Sequence, residues 1–187
     1  MRKIRLLALV LVLVSLFSIA GTASAAPGAK NGSSQNDRND HSRNFVTRMT
    51  GAEETPPVTT DAHGTASFRF SRDGLSMHYK LTATDIISVT AGHVHSGTIG
   101  VAGPVVLPLV SASACTVRGD RITCEGTVTA ADLTGPLTGH PLSDLEALMQ
   151  EGRAYANVHT SAHPGGEIRG QLGRHGSDRN GHRHNHG

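Results

Sequence analysis

The sequence predicts an all-β fold, an antiparallel β-sandwich with one short connecting helix. Two segments, 64–70 and 75–83, carry apolar residues at every second position, and this period is typical of strands with one buried face. The Asp73-Gly74 pair between them favours a tight hairpin turn. Short strands separated by turn residues at regular spacing are typical of sandwiches and barrels. The further strands are predicted near residues 45–50, 88–95, 104–110, 114–129, 154–159 and 167–172.

One helix is predicted near residues 143–151. Ser143 and Glu146 match a capping box, in which the serine side chain caps the helix and the glutamate reaches back to the cap amide. Gly152 is a suitable stop signal for the C-terminal end. We expect this helix to lie across one end of the sandwich, with an apolar side formed by Leu145, Leu148 and Met149.

Residues 1–25 have the three parts of a secretory signal peptide. A basic start precedes an apolar run over 6–20 and an Ala-Ser-Ala segment at 23–25, which predicts cleavage near Ala25–Ala26. The alternative is a membrane anchor, but the apolar run is shorter than the ~20 residues that a span requires. The mature protein is therefore expected to be secreted, without a membrane span.

The rest of the chain divides by composition into three parts. Residues 26–44 and 173–187 are almost entirely small or polar, so they bury too little apolar surface to offset the entropy of ordering. They are predicted to be a disordered leader and a disordered, histidine-rich tail. One folded domain of ordinary size is predicted over 45–172.

Charge and composition argue against nucleic-acid binding. The chain has 17 Lys and Arg and 15 Asp and Glu, but three of the basic residues lie in the predicted signal peptide. Removing those three leaves 14 against 15, a net charge of −1. Aromatic residues make up only 3% and tryptophan is absent, whereas nucleic-acid binders usually combine a basic stripe with aromatic side chains.

The two cysteines are predicted to form a disulfide. If Gly119-Asp120 is a two-residue turn, Arg118 faces Arg121 and Cys115 faces Cys124 in a non-hydrogen-bonded pair, where side chains approach closely. Export into an oxidising compartment favours the bond. The alternative is a cysteine metal site, which would require more soft ligands than two.

The chain has twelve histidines, and eight of them form two groups that matter for chemistry, four inside the domain and four in the tail. His93 and His95 lie two residues apart and therefore share one face of an extended strand, and His159 and His163 both precede a Pro-Gly-Gly turn. If the two segments are neighbours, His93, His95 and His159 could bind copper or zinc, and otherwise they hydrogen-bond to the backbone of tight loops. The tail is a second, weaker candidate for loose metal binding, through His182, His184 and His186. The alternative is that these side chains are simply solvated.

Three stretches together resemble the CHRD domain, a module of the developmental protein chordin and of many secreted bacterial proteins. They are "MTGAEETPPV" (49–58), "AGHVHSGTIGVAGPVVLPL" (91–109) and "AYANVHTSAHPGGEIRGQL" (154–172). The resemblance covers 45–172 and matches His93, His95, His159, Glu54 and the segment 166–171. It implies a β-sandwich of immunoglobulin or superoxide dismutase type. His163 and the cysteines do not belong to the general pattern.

Three functions follow as hypotheses. The first is a secreted, non-enzymatic protein that binds an unknown extracellular ligand or protein, with copper or zinc as a candidate cofactor at the three histidines. The second is a copper-dependent redox enzyme of superoxide dismutase type, since the His-x-His strand is similar to the copper-binding strand of those enzymes. The third is a purely structural extracellular or cell-surface protein without metal. No catalytic motif stands out.

Glu167 and Arg169 share a strand face and are expected to form an ion pair or to support the histidines.

Overall fold

The computed structural model of the chain describes residues 43–111 and 113–173. The predicted signal peptide, most of the predicted leader and the histidine-rich tail lie outside these residues. The described part contains nine strands and one α-helix. They are β1 (Asn44–Thr50), β2 (His63–Phe70), β3 (Met77–Thr84), β4 (Val89–Ser96), β5 (Val105–Pro108), β6 (Cys115–Arg118), β7 (Arg121–Val128), α1 (Leu142–Gln150), β8 (Ala154–Thr160) and β9 (Ile168–Leu172).

All neighbouring strands are antiparallel and follow the order β5-β4-β8-β9-β1-β2-β3-β7-β6. The pairing of β1 with β9 is limited to one bridge, Thr50 with Arg169. The sheet curls over, so that β5-β4-β8-β9 form one layer and β1-β2-β3-β7-β6 the other. The Tyr79 hydroxyl of β3 crosses between the layers and donates to the Leu109 carbonyl at 2.8 Å. The predicted all-β antiparallel fold with a short helix is therefore confirmed.

The inner faces of the two layers enclose one apolar core. Strands β2 and β3 alternate buried and more exposed residues along most of their lengths, as period-two patterning requires. The two layers approach each other closely there. The Leu81 side chain of β3 lies 3.7 Å from the position that a Cβ at Gly92 of β4 would occupy. The largest apolar side chains that are completely buried include Phe45, Phe68, Met49, Met77, Leu81, Leu107, Leu145 and Ile168.

The helix lies where it was predicted, but its predicted capping box is wrong. Pro141 is the N-cap residue and makes no side-chain capping bond. Glu146 is instead held by the Arg43 guanidinium, which donates from Nη2 to Oε2 at 2.9 Å and from Nε to Oε1 at 3.2 Å. A two-point, charge-assisted bond to arginine outcompetes a reach back to a backbone amide. Leu145 and Met149 point into the core as expected, whereas Leu148 is only partly buried.

The β6–β7 hairpin has the predicted register. Cys115 faces Cys124 and Arg118 faces Arg121. The turn residue Gly119 has a φ of 61°, a conformation that glycine adopts without a steric penalty. The Cys115–Cys124 disulfide is present, with an S–S distance of 2.04 Å. The two cysteines are thus explained by a disulfide rather than by a metal site.

Strand β8 is buried along its entire length, which an amphipathic strand does not show. Its inner face, including Ala156 and Val158, packs into the core. Its outer face carries Tyr155, Asn157 and His159 and is covered by loops rather than by a second sheet. No helix among the described residues is long and apolar enough to cross a membrane.

Candidate metal site

The structure brings His93, His95 and His159 together on the outer face of β4 and β8. In the β4–β8 ladder, His93 pairs with Asn157 and His95 pairs with Tyr155, so that His159 lies diagonal to His93. One ligand nitrogen from each ring lies within 4.8 Å of the others. The convergence that sequence spacing could not show is therefore present in the fold. It depends on β8 returning beside β4 some 66 residues later in the chain.

Two of the three rings are held by backbone carbonyls. His95 Nδ1 donates to the Gly103 carbonyl at 2.8 Å, and His159 Nδ1 donates to the Pro164 carbonyl at 2.9 Å. A carbonyl oxygen can only accept, so in both neutral rings Nδ1 carries the proton and Nε2 carries the lone pair. Backbone carbonyls orient metal-ligating histidines in this way in many proteins.

The distances between the ring nitrogens approach those of a metal site. His93 Nδ1 lies 3.2 Å from His159 Nε2. Two nitrogens at ~2.0–2.1 Å from one tetrahedral ion are roughly 3.4 Å apart. The three nitrogens lie within 4.8 Å of one another, so the most widely separated pair would need to close by up to about 1.4 Å to share one ion.

Burial favours the neutral form of two of these imidazoles, His93 and His95. The pKa of His93 is lowered to about 4, mainly by desolvation and then by the nearby charges of His159 and His95. The pKa of His95 is also lowered, chiefly by desolvation, although the Gly103 carbonyl opposes the shift. Metal ions bind neutral imidazole, so this environment keeps both rings in a form that can act as ligand near neutral pH.

An aromatic and cationic stack supports His95. Its ring lies parallel to Tyr155, with centroids 4.8 Å apart and an interplanar angle of 8°. The Arg169 guanidinium covers the same Tyr155 ring at 3.5 Å from the centroid. Arg169 is only 2% exposed and donates to the Thr98 carbonyl at 2.9 Å. The stack therefore fixes the position of His95 and connects it to β9 and to the 97–103 loop.

Asn157 and Glu54 lie next to Arg169 of this stack. Asn157 is 2% exposed and its side chain lies against both His95 and Glu54. Desolvation raises the pKa of Glu54, and this effect exceeds the opposing influence of the Arg169 charge. Gly166 permits the arrangement, because a Cβ at that position would collide with the Glu54 carboxylate. We call these seven side chains the outer polar cluster: Glu54, His93, His95, Tyr155, Asn157, His159 and Arg169.

The expected Glu167–Arg169 ion pair is wrong. Glu167 accepts from the Thr60 hydroxyl at 2.7 Å and from the Thr160 hydroxyl at 2.6 Å, so hydroxyl donors satisfy its carboxylate. Arg169 instead contacts Tyr155 and the 97–103 loop. The second expectation for Arg169, support of the histidines, agrees with its contact to the ring that stacks on His95.

Sequence reasoning assigned no role to Tyr155 or Asn157. A signal was present, since "AYANVHT" alternates Tyr155, Asn157 and His159 with small apolar residues, which places all three on one face. His163 is outside the histidine group, and its backbone closes the turn by accepting from Gly166 N at 3.1 Å. The tail candidates His182, His184 and His186 lie outside the described residues and stay a prediction.

Comparison with known proteins identifies the family but no individual relative. No curated protein and no solved structure gives a significant match to the chain. The family model described as the CHRD domain matches residues 45–172, which span β1 to β9 and include every member of the outer polar cluster. The chain therefore belongs to the CHRD-domain family.

Proposed function

We propose that this protein is a secreted CHRD-domain binding or structural protein that holds copper or zinc through His93, His95 and His159. The CHRD domain is of an extracellular type, and a disulfide fits an oxidising compartment. An unidentified extracellular ligand or protein is the expected partner. The predicted signal peptide, with cleavage near Ala25–Ala26, supports export.

The observation that carries the metal proposal is the unpartnered Nε2 of His95. This atom is buried and has no hydrogen-bond partner among the described residues. Because Nδ1 already donates to the Gly103 carbonyl, Nε2 of the neutral ring can only accept. A buried acceptor without a donor is costly, and a bound cation is one of the few groups that satisfies a lone pair.

The donor set also selects the class of metal. Three imidazoles without thiolate suit Cu(II) and Zn(II), whereas Ca²⁺ and Mg²⁺ prefer oxygen donors. Three histidines with an open fourth position form a familiar zinc arrangement. When bound, such an ion would act as a Lewis acid or, if copper, as a redox centre. The chain's own residues would hold it and orient it.

One observation favours the alternative of a structural protein without metal. In the neutral protein, His93 Nδ1 can donate to His159 Nε2 at 3.2 Å, and both carbonyl bonds hold loops in place. That explanation accounts for two rings but leaves His95 Nε2 unpaired. The copper-dependent redox hypothesis uses the same three histidines and stays a prediction.

The test is a calorimetric titration of the full chain with Cu(II) and with Zn(II). The tail histidines are first replaced by alanine at positions 175, 182, 184 and 186, so that they do not contribute. We call this protein the tail-substituted chain. We expect one ion per chain with a Kd tighter than ~10 μM, and weaker binding of both metals contradicts the proposal.

Single substitutions then identify the ligands. His93→Ala and His159→Ala in the tail-substituted chain should each weaken binding by about a hundredfold or more, since three-coordinate sites tolerate ligand loss poorly. The matched control is His78→Ala on β3, a partly exposed histidine that faces Glu125 rather than the site. Equal affinities in all three variants mean that the ligands lie elsewhere.

A further inference from the structure

Asn157 occupies a central position beneath the histidines, and the strand register explains why. It is the β8 partner of His93 and lies between Tyr155 and His159 on the outer face of its strand. His95 is on the diagonal, and the Asn157 side chain opposes the lowering of the His95 pKa, because its amide oxygen can accept a hydrogen bond from the charged ring but not from the Nε2 lone pair of the neutral one. All three histidines therefore lie around this one amide.

Three buried polar atoms of the outer polar cluster have no hydrogen-bond partner among the described residues. They are His95 Nε2, Asn157 Oδ1 and Glu54 Oε1. These are the only buried side-chain atoms of this kind in the described part of the chain, and all three belong to neighbouring residues. Unpartnered buried polar atoms are rare in folded proteins and require a physical explanation.

The orientation of the Asn157 amide determines which of its two polar atoms is directed towards the histidines. Asn157 Nδ2 is on the side of Glu54, because both it and the Glu54 carboxylate border the position that a Cβ of Gly166 would occupy. The amide oxygen is therefore directed away from Glu54, on the side where His95 lies. Both Asn157 Oδ1 and His95 Nε2 are acceptors, and neither has a donor.

We propose that Asn157 Oδ1 is a further ligand of the metal site and completes it from the sheet side as an amide oxygen beside three imidazoles. This inference rests on the proposed function and deepens it, because it assigns the donor set of the same site. One cation satisfies both the lone pair of His95 Nε2 and that of Asn157 Oδ1. Amide oxygens from glutamine are known as weak axial ligands of copper.

Glu54 acts behind Asn157 as a positioning residue. Its carboxylate lies beside the Asn157 Nδ2 group, and its negative charge favours the amide orientation that directs Oδ1 towards the site, although Oε1 itself makes no hydrogen bond. Without this partner the amide could rotate and present its NH₂ group to the metal, which would repel a cation. Glu54→Gln should therefore weaken binding less than substitution of Asn157 itself.

Two substitutions of Asn157 in the tail-substituted chain test the assignment by calorimetry with Cu(II). Asn157→Leu keeps the approximate volume but removes the oxygen, and the affinity should fall by about tenfold. Asn157→Asp keeps the oxygen and adds a negative charge, and the affinity should rise by about tenfold. Opposite changes from two substitutions of one residue are not expected from a purely structural asparagine.

Electron paramagnetic resonance of the Cu(II)-loaded variants provides a readout that is independent of affinity. The hyperfine splitting of Cu(II) depends on its oxygen and nitrogen ligands, so both variants should give spectra distinct from that of the parent. Thr160→Val is the matched control, because Thr160 is a buried polar residue of β8 whose hydroxyl bonds Glu167 rather than the site. Its spectrum and affinity should equal those of the parent.

The outcomes separate this inference from the function on which it rests. If the parent binds no metal, the proposed function fails and the ligand assignment fails with it. If the parent binds metal but Asn157→Leu and Asn157→Asp leave both affinity and spectrum unchanged, only the assignment of Asn157 is overturned. If Asn157→Leu does not fold, as judged by circular dichroism, Asn157→Asp decides by the same two measurements.

Discussion

The β6–β7 hairpin and the outer polar cluster are held together in different ways. The hairpin joins residues that are close in the chain, and one covalent bond, Cys115–Cys124, closes it across nine positions. The outer polar cluster joins residues from β4, β8, β9 and the segment after β1, with no covalent link. His93 and His159 are 66 residues apart, and Arg169 and the Thr98 carbonyl are 71 apart.

This difference determines how much stability each region loses when one of its contacts is removed. Outward residues of the hairpin are solvated, as the 66% exposed side chain of Val117 shows. Residues of the outer polar cluster other than the half-buried His93 are buried, so each of their polar atoms needs a partner or remains unpaired at a cost. Substitutions in the cluster should therefore affect stability more than substitutions in the hairpin, even when the chemical change is similar.

The largest effect is expected for Arg169→Ala. The substitution leaves a cavity beside Tyr155, leaves the Thr98 carbonyl without its donor and removes the charge that opposes the raised pKa of Glu54. Urea denaturation should show a loss of about 3–5 kcal/mol in the free energy of unfolding. The control Arg69→Ala, at an exposed position of β2, should change it by less than about 0.5 kcal/mol. Equal losses would contradict the assigned support role.

The second effect is the loss of the disulfide. Replacing Cys115 and Cys124 together by alanine opens a loop with a sequence separation of nine residues. Chain-entropy arguments then predict a loss of about 2–3 kcal/mol in the free energy of unfolding. Metal affinity should not change, because the three histidines lie on the outer face of β4 and β8, whereas β6 belongs to the other layer. A double variant with weakened metal binding would show that the two regions are coupled.

The same contrast explains how much the sequence could predict. The hairpin register and the disulfide follow from the turn at Gly119-Asp120 and from pair alternation, which are local rules. The strands and the helix were predictable because their periods are also local. Asn157 and Glu54 were not, because their roles depend on β8 lying beside β4 and on the Gly51–Glu53 turn reaching the same place. The capping box failed for the same reason, since Arg43 reaches Glu146 from 103 residues away.

The third effect is a pH dependence that belongs to the outer polar cluster. The pKa of His93 is about 4 in the folded protein against 6.5 ordinarily, mainly through desolvation and also through His159 and His95. Between pH 6.5 and 4 the unfolded chain binds a proton that folded His93 does not, so the free energy of unfolding falls as the pH is lowered. His93 is half-buried, so solvent screening reduces the change to on the order of 1–2 kcal/mol.

Chemical denaturation of the metal-free protein across this pH range measures the change. His93→Ala should flatten the curve, because the group that takes up the proton on unfolding is gone. The double cysteine variant is the reference, and its curve should run parallel to that of the parent at lower stability. A His93→Ala curve parallel to the parent would mean that burial of this imidazole does not control the acid sensitivity.

The smallest effect is expected for Val117→Thr on β6. Its side chain is 66% exposed, so adding a hydroxyl removes little buried apolar contact, and the free energy of unfolding should change by less than about 0.5 kcal/mol. The matched substitution is Val158→Thr on β8, where the side chain is completely buried in the core and the hydroxyl would have to find a partner. That change should cost about 1–3 kcal/mol. Urea denaturation measures both losses in the free energy of unfolding. Equal losses would show that the Val117 side chain is packed as tightly as that of Val158. Both variants make the same chemical change in a strand. The difference between their losses in the free energy of unfolding therefore measures how far burial, rather than strand structure, makes β8 sensitive to substitution.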